Sequence, residues 1–166
     1  LGDVYKRQNR VSRLSWCPMN PAIEIEERVR YSETDQMGVA HNKSYFEWFE
    51  IGRTEFCRQR GVSYKEIEAQ GAYLAVVEAF CKYRRPLRYD EVFTIRVSLR
   101  EITPKKTVFD YELLTREGRN LIASGYTVHI VTNTKGEVST MPEQVLKKIG
   151  GEKVRRERVR SDNPSS

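Results

Sequence analysis

Between Asn42 and Arg60 the residues Tyr45, Trp48, Phe49, Gly52 and Phe56 recur at helical spacing. From Tyr73 onward the apolar residues alternate in twos instead. One strongly apolar helix followed by a run of strands leaves few ways to bury the helical stripe. Gly61 is a suitable stop for the helix. A short helix follows over 63–70, with Ser63 as cap and Glu66 completing a capping box. Strand patterns then span 73–84, 92–102, 107–115 and 121–132, joined by the turn-like segments RRPLRYD, ITPKK, REGRN and NTKG. An earlier alternation, Ile23, Ile25, Val29 and Tyr31 against Glu24, Glu26, Arg28 and Arg30, predicts a half-buried strand over 22–31. A last short helix spans 142–149 and stops at Gly150-Gly151. The expected class is α+β: one long central helix of about five turns, wrapped by a five-stranded, mostly antiparallel sheet.

The 166 residues suit one domain with a sizeable core. No apolar run reaches the roughly 20 residues of a membrane-spanning helix. The net charge of +6 is concentrated at the ends: residues 1–18 carry +3 and residues 151–166 carry +2, so 19–150 is nearly neutral at +1. Nucleic-acid binding is therefore not expected, because it calls for a basic face on the fold itself. Residues 1–18 start without Met and show no sustained period. They are expected to be translated upstream or adapter sequence, or a disordered arm. Residues 19–150 form the expected domain, and 151–166 a charged disordered tail. Cys17, Cys57 and Cys81 have no paired spacing, which favours a reducing cytoplasm over a disulfide framework.

The segment ETDQMGVAHNKSY, Glu33 to Tyr45, holds most of the candidate chemistry. Asp35 reads either as an ordinary acid satisfying N–H groups before a helix or as a nucleophile or general base beside an electrophilic carbonyl. Gly38 allows close approach of backbone to a ligand. The first N–H groups of the helix, near Asn42, could polarise a carbonyl, and Asn42 could itself be the cap. His41 could cap the helix, contact a substrate or move protons, or be a plain loop residue. Tyr45 reads as core with a hydroxyl that could line a pocket, and Glu50 could orient neighbours or simply pair with Arg53. Lys82 and Arg84 share a strand face with Glu78, and Arg85 and Arg88 extend the basic cluster into the next turn. That cluster fits either a phosphate-bearing ligand or a solvated strand end. His129, Cys57 and Cys81 read as structural, and Lys105 and Lys106 as a soluble hairpin tip. Two distant histidines and no cysteine pair give no expected metal site.

The segment RVRYSETDQMGVAHNKSYFEWFEIGRTEFCRQRG resembles the acyl-CoA thioesterases of the 4-hydroxybenzoyl-CoA thioesterase and YbgC group. The resemblance rests on Asp35, Gly38, Tyr45 and the aromatics Trp48 and Phe49. A second segment, VVEAFCKYRRPLRYDEVFTI, looks like that family's Tyr-x-x-Pro element with a following Asp, here Tyr83, Pro86 and Asp90. The likeness runs from about Ile23 to Ile149. It implies a hotdog fold, a homodimer or homotetramer, and active sites at the protomer interface.

By resemblance, Asp35 matches the catalytic carboxylate and the Asn42 backbone N–H the carbonyl-polarising amide. His41 stands where some relatives carry histidine, while others carry it one residue later. The implied activity is hydrolysis of a small or fatty acyl-CoA to free acid and coenzyme A. Gly38, Tyr45, Glu50, Lys82, Arg84 and Arg85 are the candidate substrate-binding residues. No cofactor is expected, since coenzyme A belongs to the substrate. The alternatives are a thioesterase for acyl carrier protein and a non-catalytic domain that binds acyl-CoA.

Overall fold

The computed structural model describes residues 21–151. The expectations for residues 1–18, and for the tail beyond Gly151, lie outside that range. Strand β1 (Ile23–Arg28) leads through a 3-10 turn (Tyr31–Glu33) into helix α1 (Asn42–Gln59) and the short helix α2 (Tyr64–Ala69). Strands β2 (Tyr73–Tyr83), β3 (Val92–Ile102), β4 (Lys106–Thr115) and β5 (Leu121–Thr132) follow, then helix α3 (Glu143–Gly150). All five strands join one sheet in the order β1-β3-β4-β5-β2, and every neighbouring pair is antiparallel. The helix-on-sheet architecture is the expected hotdog arrangement.

The apolar stripe of α1 is buried as its spacing predicts: Tyr45, Trp48, Phe49, Gly52 and Phe56 all lie inside. Phe49 stacks on Tyr111 of β4 with ring centroids 4.2 Å apart, Trp48 meets Phe93 of β3 at 4.6 Å, and Phe56 meets Phe109 of β4 at 5.6 Å. Full burial of side chains of this size stabilises by about 1.5–3 kcal/mol each. Tyr45 reaches the far edge of the sheet, with its ring 4.8 Å from that of Tyr83 on β2. The helix thus touches residues from one side of the sheet to the other. Helix α2 is capped as expected, with Ser63 Oγ accepting from the Glu66 N–H and the Glu66 carboxylate accepting from the Ser63 N–H.

Two local expectations need correction, and the choice between His41 and Asn42 as cap of α1 is decided. Strand β1 ends at Arg28, because the chain turns into the 3-10 segment; Tyr31 is exposed and does not continue the buried face. The cap of α1 is His41, not Asn42: its Nδ1 accepts from the Lys43 N–H at 3.2 Å. Strand β2 does not present one regular apolar face. Its register against β5 shifts between Val76 and Glu78, and as an edge strand it leaves Tyr73, Val76, Val77, Phe80 and Tyr83 exposed. Cys81 on the same strand is only half-buried, whereas Cys57 is fully enclosed, and burial pushes its thiol up to about 12.

Candidate active site

The segment preceding α1 folds back on itself as a small antiparallel loop. The His41 N–H donates to Glu33 O at 2.7 Å, Thr34 pairs with Ala40, and the Asp35 N–H donates to Val39 O at 2.9 Å. The turn is closed by the Gly38 N–H donating to Asp35 O at 2.9 Å. Gly38 has φ +73°, a left-handed conformation that glycine adopts without a Cβ penalty. A second bridge, Val39 to Arg88, ties this loop to the segment between β2 and β3, and the Ala40 N–H donates to Leu87 O at 2.7 Å.

Asp35 is half-buried at the end of this loop. Its Oδ1 accepts from the Met37 N–H at 2.8 Å and, at the limit of hydrogen bonding, from the Val39 N–H at 3.5 Å. These backbone N–H groups fix the direction of the carboxylate. Oδ2 takes no hydrogen bond among the described residues, so it is the oxygen with capacity left for a substrate or a water.

The Asp35–Val39 pair and the Glu33–His41 pair are two residues apart along the loop, roughly 7 Å of extended chain. His41 opens α1, so the acid and the helix start are neighbours. The Ser44 N–H donates to His41 O and the Lys43 N–H to His41 Nδ1. The Asn42 N–H has no protein acceptor among the described residues. A free N–H at a helix start can polarise a carbonyl that a nearby acid attacks directly or through an activated water.

The other candidate residues divide into those brought to this loop and those placed elsewhere. Tyr45 lies under it, 3% exposed, between Trp48 and Tyr83, and burial raises its phenol above the ordinary range. Arg88 reaches the loop directly: a Cβ at Gly38 would lie 4.0 Å from its Nη1. Arg84 and Arg85 precede it, with their N–H groups donating to Ile122 O. The guanidinium groups of Arg84, Arg85 and Arg88 take no carboxylate among the described residues. By contrast Arg28, Arg58, Arg100, Arg116 and Arg119 each pair with a carboxylate, and Arg96 pairs with two.

Lys82 is set apart from the loop. The outward face of β2 carries Phe80, stacked on Tyr126, and Glu78, which accepts from the Tyr126 hydroxyl; Lys82 continues that alternation, opposite Tyr83, which faces α1. Glu50 is also apart, two turns along α1. It pairs with Arg53 at 3.3 Å and lines a groove of about 430 Å3 between β1 and α1, with Ile25, Glu27, Ile51, Thr54 and Arg58. Asp90 of the second sequence element has a structural task. It adopts φ +69° in the turn before β3, and its carboxylate accepts from Arg28 Nη1 at 2.9 Å.

His129 is fully buried on the inner face of β5, where Thr127 Oγ1 bonds both its Nε2, at 2.8 Å, and the Tyr111 hydroxyl, at 2.7 Å. Burial, aided by the Arg53 guanidinium, holds its pKa down at about 4, so it is neutral at pH 7 and remote from Asp35 in role. No group of three or more His, Cys, Asp or Glu side chains converges at ligating distance among the described residues.

Sequence reasoning missed Glu33. It is 5% exposed, and its carboxylate accepts from Trp48 Nε1 at 3.1 Å and from the Arg30 N–H at 2.7 Å. The signal was an acid two residues before Asp35 in a segment otherwise read as surface loop. Its partner lies fifteen positions away on α1, which no local pattern discloses.

The site is thus an acid held by backbone N–H groups close to a capped helix start. Residues 29–149 match the model of the thioesterase-like superfamily. The chain belongs to that superfamily. A protein named "Putative acyl-CoA thioesterase YneP", from Bacillus subtilis, is 36% identical over 95 residues, which cover 57% of this chain and 67% of the relative. The chloroplastic acyl-acyl carrier protein thioesterase ATL3 of Arabidopsis thaliana is 26% identical over 131 residues, covering 79% of this chain and 69% of that one. Among solved structures, the hypothetical protein TT1821 from Thermus thermophilus superposes with a TM-score of 0.72 at 33% identity, covering 78% of this chain and 96% of that one. As a thioesterase, this chain hydrolyses a thioester bond. No helix among the described residues is long and apolar enough to cross a membrane.

Proposed function

We propose that this thioesterase hydrolyses acyl-CoA esters, with Asp35 as the acting carboxylate and the Asn42 N–H as the group that polarises the carbonyl. The observation that carries the reading is the closed loop that sets Asp35 beside the start of α1. Asp35 Oδ2 attacks the thioester carbon or takes a proton from an attacking water. Negative charge gathers on the carbonyl oxygen, which the Asn42 N–H stabilises. The C–S bond then breaks and coenzyme A leaves as thiolate. After direct attack the acyl group stays on Asp35 as a mixed anhydride that water cleaves to the free acid, whereas an activated water gives the free acid at once. Thiolate is a good leaving group, so one carboxylate and one amide can suffice without a strong acid catalyst. His41 contributes as the cap that orders this helix start.

The coenzyme A assignment is supported by Arg84, Arg85 and Arg88, whose charges have no carboxylate partner among the described residues and of which Arg88 adjoins the Asp35 loop. The relatives named above divide between acyl-CoA and acyl carrier protein as acyl donor, and the cationic segment favours the phosphate-rich nucleotide end of coenzyme A. The edge strand β2 supports assembly. Among the described residues it lacks a partner on one side and carries exposed Val76, Val77 and Phe80, so pairing with β2 of a second copy would extend the sheet and cover them. Two such dimers would make the homotetramer. The thiols of Cys57 and Cys81 fit a cytoplasmic setting.

The direct test is hydrolysis of hexanoyl-, palmitoyl- and benzoyl-CoA, with the matching acyl carrier protein esters, read as free thiol. Faster release from the CoA esters is expected, and Asp35→Ala should lose most turnover while remaining folded. Near-normal turnover by that variant refutes the role of Asp35, and preference for the carrier-protein esters refutes the choice of donor.

A further inference from the structure

We infer that Glu33 is a positioning residue that locks the Asp35 loop to the start of α1, and that its carboxylate acts through Trp48. The inference rests on the assignment of the reaction to that loop. Glu33 accepts four hydrogen bonds from the surrounding chain. Its carbonyl oxygen accepts from the His41 N–H at 2.7 Å and from Ser44 Oγ at 3.2 Å. Its carboxylate accepts from the Arg30 N–H at 2.7 Å and from Trp48 Nε1 at 3.1 Å. One residue therefore holds the last turn before the loop, the cap of α1, and the first and second turns of α1.

The chemistry of the site explains why such a lock matters. Asp35 and the Asn42 N–H belong to different elements, a loop and a helix, and they must hold one carbonyl between them. A shift on the order of 1 Å between attacking group and polarising group can lower a rate by about a hundredfold. The loop's own bonds hold Asp35 relative to Val39, not relative to the helix. The register between loop and helix is set by the bonds at Glu33. A buried carboxylate is costly unless its oxygens are satisfied. Here Oε1 takes the indole N–H and Oε2 the Arg30 N–H, with the Arg30 guanidinium 3.6 Å from Oε1. Trp48 is itself 1% exposed and packed against Tyr45 and Phe93, so it is a fixed anchor for the contact.

The contact can be broken from either end. Trp48→Phe keeps an aromatic ring but removes the indole N–H. Glu33→Gln keeps the shape but sets an amide where a carboxylate faced two N–H donors. Both variants should still fold and assemble, Trp48→Phe with some loss of stability because Oε1 keeps only the Arg30 guanidinium, and rates are read on the panel ester that is hydrolysed fastest. Each should lower kcat by about tenfold or more with KM little changed. The pH profile should keep its shape, because Glu33 exchanges no proton with the substrate. The double variant should lose no more than the worse single one, since both cut one contact. Backbone amide exchange over residues 34–41 should accelerate in both, a readout independent of turnover. Unchanged kcat and unchanged exchange in both variants overturn the inference, as does additive loss in the double variant. If Asp35→Ala retains turnover, the active-site assignment fails instead. If it is inactive while both Glu33→Gln and Trp48→Phe match the parent, only the positioning role fails.

Discussion

Gly52 of α1 lies so close to Val97 of β3 that a Cβ at position 52 would sit 2.6 Å from Val97 Cγ2 and 3.1 Å from Ile95 Cγ2. The long helix crosses the sheet at this point, and the missing side chain sets how near it comes. Val97 is fully buried and β-branched, so its methyl cannot swing aside freely.

Gly52→Ala should therefore destabilise the fold, although alanine is the better helix former by about 1 kcal/mol. Overpacking of this kind costs about 1–3 kcal/mol. Val97→Ala in the same chain should recover part of the loss by vacating the contact. Urea midpoints of the two single variants and the double variant check this. A Gly52→Ala protein more stable than the parent would show that α1 can lift from β3 at little cost.

His129 should make the fold sensitive to acid. Burial first, and the Arg53 guanidinium second, hold it at about 4 against an ordinary 6.5. Below pH 6.5 the unfolded chain takes up a proton that the folded chain refuses. This contribution to stability is intact above 6.5 and is lost progressively down to about 4, where the folded state also protonates. The loss amounts to on the order of 3 kcal/mol. His129→Gln cannot titrate, so denaturant midpoints for it should fall less steeply across that window. Parallel curves for the two proteins would mean that other groups control the acid response.

Arg84, Arg85 and Arg88 should act on substrate binding more than on chemistry. Replacing any one with Gln should raise KM for the acyl-CoA ester several-fold while kcat stays near the parent value. The parent KM should itself rise with salt, and less so in the variants, since exposed charges are screened within about 8–10 Å at physiological ionic strength. Initial rates across a salt series decide it, and variants with unchanged KM would leave the arginines as a solvated turn.

The free edge of β2 gives a prediction about assembly. Val77 is 60% exposed beside the register shift. Val77→Lys places a charge where a second β2 would pack, a device that blocks edge pairing. Light scattering should show the parent as a dimer or tetramer and the variant shifted to monomer. A parent that is already monomeric would remove β2 as the assembly edge.

Much of this architecture is local in origin. The stripe of α1, the capping box at Ser63 and Glu66, and the alternation in β3 and β5 are properties of neighbours in the chain, so their positions follow from spacing alone. Asp35, Gly38 and the start of α1 were legible for the same reason: they form one continuous segment. The irregularities were not. The shift in β2 belongs to its pairing with β5, a strand far along the chain, and the Glu33 carbonyl reaches the His41 N–H across the loop.

The remainder belongs to residues far apart in sequence. Glu33 is an unremarkable acid until α1 brings the Trp48 indole against it. His129 alternates like any strand residue until burial beneath the helix suppresses its charge. Arg88 is one basic residue among several until a bridge to Val39 lays it across the Asp35 loop. Periodicity is set by backbone geometry over a few residues, so the chain alone specifies its elements and their order. Desolvation and side-chain pairing arise when those elements meet, so packing decides which polar groups are buried, held or left free for substrate.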